Sequence, residues 1–300
     1  MVNIVRDFQP ETMLYAGAKA ITAYKKDGVI CLRNVFNEDW LDTIETGIDQ
    51  YFINRESSND AANVQVKHKN DKGSFHYATL MWKQIDAFRQ IIFESHAPDL
   101  FGSILETQRL NLYYDFLLIK EPGCKKAITP WHQDHSYYCL NGHQIINCWI
   151  ALDTIPLETS LRFVKGSHVD YPVHKAIHFA PGEEYNGVIK DRPLPPDFDN
   201  LPDVEIIACE LNPGDALVWN SRMFHSAPGN TLDQRRAALS LNFCGDDVTY
   251  FDIAQNPDPP IRGENLVDGG NITCESFPLL RQEGSLKNTA VQKKPTNNCR

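Results

Sequence analysis

The pentapeptide Trp131-His132-Gln133-Asp134-His135 sets an imidazole and a carboxylate two residues apart within a stretch rich in strand-forming residues. Residues two apart on a strand project from one face. His132 and Asp134 therefore supply two of the three donors of a two-histidine, one-carboxylate facial triad, the arrangement that leaves open positions on non-haem Fe(II). The spacing by itself carries little weight. With ten histidines in 300 residues, a His-x-Asp pattern is expected about once by chance, and it occurs again at His168-Val169-Asp170. Context separates the two: His132 lies among apolar strand residues, whereas His168 follows Lys165-Gly166-Ser167 and opens a proline-rich stretch.

A third donor stands at His225, between the apolar run that starts at the Pro213-Gly214-Asp215 turn and a second turn, Pro228-Gly229-Asn230, a position at a barrel mouth. Beyond it runs Arg235-Arg236-Ala237-Ala238-Leu239-Ser240-Leu241-Asn242-Phe243. An inward-facing strand arginine needs a carboxylate or phosphate partner, because an unpaired buried charge is very costly. Arg236, Ala238, Ser240 and Asn242 form a small, polar face suited to a ligand-lined interior; Arg235 shares its face with Leu239, Leu241 and Phe243. Parity alone leaves the choice open until the inward face is known.

The elements that must position these groups change character along the chain. The first third reads as helical: Glu11 to Lys26, stopped by Asp27-Gly28, then a strand from Val29 to Val35, then a helix capped by Asn37 with Leu41, Ile44, Ile48, Tyr51 and Phe52 on one face. Residues 55–75 read as a polar loop, and Met81 to Glu94 and Pro98 to Glu106 as helices. From about residue 108 short β-branched or aromatic runs dominate: Leu110–Lys120, Ala127–Tyr138, Gln144–Leu152, Leu161–Val164, Val204–Leu211, Asp215–Trp219 and Arg235–Cys244. The fold class is thus mainly β with flanking helices, a barrel or sandwich. Residues 1–282 read as one domain and 283–300 as a polar tail. The segment from His168 to Pro202 carries six prolines and reads as a lid or binding loop.

Composition narrows the function classes. Hydrophobic residues make up 42% and charged residues 23% of the chain, with a net charge of -10; no basic stripe exists to track phosphates, so nucleic acid is an unsuitable partner. No apolar run reaches the length of a bilayer span and the start lacks a basic segment followed by an apolar one, which reads as a cytoplasmic protein with no membrane partner. The eight cysteines are scattered, without a C-x-x-C pair, as reduced core residues are. Oligomeric state is not legible.

Taken in order, Lys120-Glu121-Pro122-Gly123, Trp131-His132-Gln133-Asp134, Trp149-Ile150-Ala151-Leu152, Gly166-Ser167-His168 and His225-Ser226-Ala227-Pro228-Gly229-Asn230, with Arg236 eleven residues after His225, resemble the phytanoyl-CoA dioxygenase family, which includes the ectoine hydroxylases. The similarity spans roughly residues 25–280, from Asp27-Gly28-Val29-Ile30 to Phe277-Pro278-Leu279-Leu280. It implies a double-stranded β-helix (jelly-roll, cupin-like) core that binds Fe(II) and 2-oxoglutarate and reacts with O2. On that basis His132, Asp134 and His225 are the expected metal ligands, and Arg236, rather than Arg235, pairs with the distal carboxylate of 2-oxoglutarate through a bidentate fork. Lys120 is expected to contact the cosubstrate and Trp149 to wall its pocket. Where some relatives carry a serine two residues after the distal histidine, this chain has Ala227, and Ser226 becomes the expected hydroxyl contact.

The implied reaction is oxidative decarboxylation to succinate and CO2, generating an oxidant that takes hydrogen from a C–H bond of a small molecule or acyl thioester. Halogenating relatives replace the triad carboxylate with a small residue; Asp134 disfavours that outcome. Trp131, Tyr137 and Tyr138 flank the metal strand, and Arg162, Lys165 and Arg222 lie near strand ends at the mouth; among these Trp131, Tyr137 and Arg162 are the expected substrate contacts. His135 and His143 read as surface or supporting groups. Two rivals remain: a zinc hydrolase built on the same donors, against which the inward arginine speaks, and a non-catalytic jelly-roll binding protein, against which the intact triad speaks.

Overall fold

The computed structural model describes residues 3–55, 63–179, 189, 191–252 and 265–282. The chain opens with two short strands, β1 (Asn3–Ile4) and β2 (Asp7–Phe8), then α1 (Ala18–Asp27), β3 (Val29–Leu32) and α2 (Glu38–Arg55). Next come β4 (Asn63–Val66), β5 (Phe75–Thr79), α3 (Asp86–Phe93) and α4 (Ala97–Leu105). The strand-rich part holds β6 (Arg109–Lys120), β7 (Thr129–His132), β8 (Leu140–Asn141), β9 (Ile145–Ala151) and β10 (Arg162–Val164). After the four-residue α5 (Ser167–Asp170) follow β11 (Ile206–Ala208), β12 (Ala216–Asn220), β13 (His225–Ala227), β14 (Arg236–Cys244), β15 (Thr249–Tyr250) and β16 (Leu279–Gln282).

The strands form two facing sheets. The larger runs β2-β3-β12-β9-β14-β6-β5-β4, with β16 also on β6; the smaller runs β1-β11-β10-β13-β7, and β8 and β15 make a separate pair. This is the double-stranded β-helix. The central strands of the large sheet, β3, β12, β9 and β14, are buried on both faces, which is why they carry few charged residues. Ile30, Cys148, Val218, Leu239 and Leu241 point outward into a core shared with the helices, while Cys31, Trp149, Leu217, Trp219 and Ala238 point inward between the sheets.

Several local expectations are corrected. The first helix starts at Ala18, not Glu11, because Thr12 and Tyr15 bond each other's backbone in a turn; it ends at Gly28, whose left-handed φ of 81° lets its N–H reach the Tyr24 carbonyl. Asn37 does cap α2, its Oδ1 accepting from Trp40 N at 3.2 Å. The 55–75 stretch contains β4, paired with β5. The 81–94 helix is split: Asp115 accepts from Trp82 N at 3.0 Å, capping a short 3-10 turn over Met81–Lys83, and Ile85 is extended before α3. The Ala127–Tyr138 strand stops at His132, after which Gln133 is extended and Asp134–Ser136 turn into a 3-10 helix. The 283–300 tail lies outside the described residues, as does the middle of the 168–202 insertion.

Candidate active site

Three side chains expected to ligate a metal converge. His132 ends β7 and His225 begins β13, and the two are directly opposite in the antiparallel ladder, with ring centroids 4.2 Å apart. Gln133 continues the extended backbone, so Asp134 stays on the side of His132. His132 Nε2 lies 3.3 Å from Asp134 Oδ1 and His225 Nε2 3.6 Å from Asp134 Oδ2; one donor atom from each residue falls within 4.8 Å of the others.

The surroundings fix the orientation of each donor. His132 Nδ1 sits 2.9 Å from the Pro130 carbonyl and His225 Nδ1 3.1 Å from the Met223 carbonyl. A carbonyl only accepts, so each Nδ1 carries the proton and each Nε2 offers its lone pair to the centre. Asp134 Oδ2 accepts from Trp219 Nε1 at 3.2 Å and from Asn147 Nδ2, leaving Oδ1 free to coordinate. Burial pushes the Asp134 carboxyl up, but His225, His132 and the Trp219 N–H together outweigh it and hold it below the usual carboxylate range. Burial pushes the His225 imidazole down to about 4, against the pull of Asp134. A neutral imidazole and an ionised carboxylate are the forms a metal requires.

The triad opens into a cavity of about 310 Å³ between the sheets. Two basic side chains also line it: Arg236 and Lys120, opposite each other on β14 and β6, 3% and 1% exposed. Arg236 Nη1 donates to the Thr159 carbonyl at 2.6 Å, its Nε has no partner, and its guanidinium lies 5.6 Å from the Trp149 ring. Lys120 Nζ donates to the Pro228 carbonyl at 2.8 Å. Burial pushes the Arg236 guanidinium down to about 10, still protonated at neutral pH; burial, then Arg236, pushes Lys120 well down. Neither has a carboxylate partner among the described residues. Asp134 is the only acidic side chain in the described cavity wall. Arg235, one residue earlier, faces out, where Asp153 and Glu45 hold it at 2.5–3.1 Å.

Other expected contacts are not brought to the cavity. Ser226 lies between His225 and Ala227, both of which line the wall, so strand alternation turns it away. Arg162 pairs with Ser226 in the ladder and shares that outer side. Trp131 also points outward, donating to Asp199 at 3.1 Å beneath the Arg162 guanidinium and packing with Phe198 and Phe224. The described insertion thus covers the back of the small sheet. Only its first part reaches the cavity, where Phe179 packs 4.8 Å from His132 and Tyr137 bonds Ile177. Tyr137 does line the wall. His135 is buried against Ser221 and His143 is exposed. Asn242 and Ser240 line the wall with Arg236, as the polar face of β14 implies; the sequence does not single out Asn147 and Trp219, inward parity on β9 and β12 being the one signal for them.

A facial triad beside two buried basic groups, inside a double-stranded β-helix, is a donor set that fits a non-haem iron and 2-oxoglutarate. The phytanoyl-CoA dioxygenase (PhyH) family model matches residues 24–238, and the chain belongs to that family. It is 28% identical over 180 residues to dioxygenase lolE1 of Epichloe uncinata, a match that covers 56% of this chain and 63% of that protein's length. Among solved structures, the α-ketoglutarate-dependent carbocyclase SnoK from nogalamycin biosynthesis superposes with a TM-score of 0.68 at 21% identity, over 90% of this chain and 99% of its own. The epimerase SnoN, solved with Fe3+, α-ketoglutarate and nogalamycin RO, gives 0.67 at 20%, over 88% and 98%. EvdO2 of Micromonospora carbonacea var. aurantiaca, complexed with 2-oxoglutarate, gives 0.58 at 20%, over 81% and 95%. At these identities the likeness establishes the fold. No helix among the described residues is long and apolar enough to cross a membrane.

Proposed function

We propose that the protein hydroxylates an aliphatic C–H bond of a small molecule, consuming 2-oxoglutarate and O2 and releasing succinate and CO2. The observation that carries the reading is the pairing of two distinct demands in one cavity. His132, Asp134 and His225 offer three donors of the type Fe(II) takes and leave its other positions open. Arg236 and Lys120, buried without an acidic partner, call for an anion. A dicarboxylate meets the second demand with its distal carboxylate and reaches the metal with its other end. Iron, when bound, would activate O2, which takes two electrons from the oxidative decarboxylation of 2-oxoglutarate and two from the substrate C–H bond.

The chain's own residues do the rest. The two imidazoles and Asp134 Oδ1 hold the metal, with Trp219 and Asn147 fixing the outer carboxylate oxygen. Arg236 provides the directional fork and Lys120 a point charge, with Trp149 as wall. Two of the ends left unmade by the fold, Arg236 Nε and Asn147 Oδ1, are available to ligands. A zinc hydrolase is less well supported, since the described cavity wall offers no carboxylate beyond Asp134 to act as general base. The strands at both ends of the described chain pair into the sheets, which supports one domain over 1–282. The seven described cysteines are free, as suits a reducing cytoplasm.

The test is succinate formation from 2-oxoglutarate by protein loaded with Fe(II) and ascorbate, with the His132→Ala variant alongside. Succinate release that follows iron content supports the reading. Iron-replete protein that neither binds nor consumes 2-oxoglutarate overturns it.

A further inference from the structure

Every ionisable group in the described cavity wall other than tyrosine, namely Lys120, His132, Asp134, His225 and Arg236, is committed by the reading above to the metal or to 2-oxoglutarate. What the described wall leaves for the substrate carries no charge. On one side β5 and β6 lay down a continuous band of rings. Phe75 and Tyr77 stand 5.2 Å apart, Tyr77 and Phe116 6.0 Å, Phe116 and Tyr114 6.1 Å, and Tyr114 and Tyr138 5.8 Å. Facing the triad from the other side are Phe179 and Tyr137, 6.0 Å apart. The other polar groups of the described wall are amides and hydroxyls, Asn147, Asn242 and Ser240 among them, and Asn147 Oδ1, beside Asp134, is a buried acceptor without a partner.

We infer that the substrate of this site is an uncharged, largely apolar molecule that presents a ring or flat face to the aromatic band, with at most a hydrogen-bond donor for Asn147. A carboxylate or zwitterion in that space would lose its hydration and meet no opposite charge, which strongly disfavours an unpaired buried ion. Ring faces against Phe and Tyr gain area burial and the edge-to-face contacts that aromatic pairs favour. The inference rests on the cosubstrate reading, because only when Arg236 and Lys120 are occupied does the remaining wall become neutral.

The experiment is competitive binding to the Fe(II)- and 2-oxoglutarate-loaded protein under argon, followed by saturation-transfer NMR. The probes are two compounds of near-equal shape, 2-acetylnaphthalene and 2-naphthoate, with proline as a zwitterion. The ketone is expected to bind at least tenfold more tightly than the naphthoate, and proline not at all. Phe116→Lys, which puts a cation on a half-buried position of the band, is expected to narrow or reverse that ratio. Equal or tighter binding of naphthoate or proline, failure of the ketone to bind, or a ratio unmoved by Phe116→Lys overturns the inference. 2-Oxoglutarate binding, measured first on the same samples, separates the two claims: its absence refutes the oxygenase reading, whereas its presence with an anion preference refutes only the neutral-substrate inference.

Discussion

The two ends of the cavity are built by different physics. At the metal end, directional hydrogen bonds fix each donor: a backbone carbonyl on each imidazole Nδ1, and Trp219 and Asn147 on one oxygen of Asp134. These groups sit on β7, β9, β12 and β13, paired strands of both sheets, so their positions follow from ladder register. On the β5–β6 wall, by contrast, the rings are held by tilted and edge-on packing, and β5 has only the short β4 outside it. Hydrogen-bond geometry is unforgiving to a fraction of an ångström, whereas aromatic packing adapts to changes of shape at modest cost. Substitutions at the first end should therefore abolish cofactor binding, and substitutions at the second should redirect substrate choice.

The largest effect that would break this contrast comes from the triad. His225→Ala removes one donor and leaves Asp134 Oδ2 facing a hole; iron content measured after gel filtration should fall to background and succinate formation with it. Retention of stoichiometric iron would show that the donor geometry does not govern the metal end. Next comes the adjacent arginine pair. Arg236→Met should raise the KM for 2-oxoglutarate about 10- to 100-fold, the worth of charge-assisted hydrogen bonds at about 1.5–3 kcal/mol. Arg235→Met should leave that KM unchanged and lower the melting temperature, since it loses the outward ion pairs to Asp153 and Glu45. Equal effects on KM would erase the inside–outside distinction.

That same pair shows what the sequence could and could not reveal. Arg236 was legible because its face on β14 is small and polar while its neighbour's is apolar, and a two-residue period survives any error in strand ends. The triad was legible for a similar reason, although β7 stops at His132; one extended residue, Gln133, was enough to carry the parity to Asp134. Ser226 failed because a hydroxyl one position from where a relative has it lies on the opposite face. Trp131 and Arg162 failed because the insertion folds onto the back of the small sheet, through Asp199, and turns residues expected to meet substrate into its anchor. Asn147, Trp219 and the rings of β5 and β6 were legible only as inward parity on their own strands, since they meet through the register of β9, β12, β5 and β6, strands distant in the chain.

A smaller effect probes how the metal end is held. Asn147→Ala removes one of two donors to Asp134 Oδ2 and should weaken metal affinity about tenfold, the range for partners that orient a ligand, while Asn147→Asp, which sets a second carboxylate beside the first, should weaken it further. Titration with Co(II), read by its visible absorption, measures both. Unchanged affinity in both variants would mean that Trp219 and the backbone after β7 position the carboxylate without Asn147.

The smallest effect tests the aromatic end through acid. His76 sits on β5 between Phe75 and Tyr77 and faces the opposite way, its ring edge-on to Phe52 at 5.3 Å. Arg55 Nη1 donates to His76 Nδ1 at 2.6 Å, and Nε2 lies 3.0 Å from Ser74 Oγ. Burial, then Arg55, pushes this imidazole down to about 4. In the unfolded chain a histidine titrates near 6.5, so between those values the unfolded state binds the extra proton and the folded state does not. Stability is therefore lost as pH falls from about 6.5 towards 4 and changes no further below it. His76→Gln keeps an acceptor for Arg55 and a donor for Ser74 without a titrating ring, so its melting temperature should drop less between pH 7 and 4.5, by on the order of 2–4 °C. His135, His96 and His168 are also pushed down by burial, so the β5 contribution is read by calorimetry as the difference between the two proteins. Identical drops in the two proteins would show that the acid response does not originate on the strand that carries the rings.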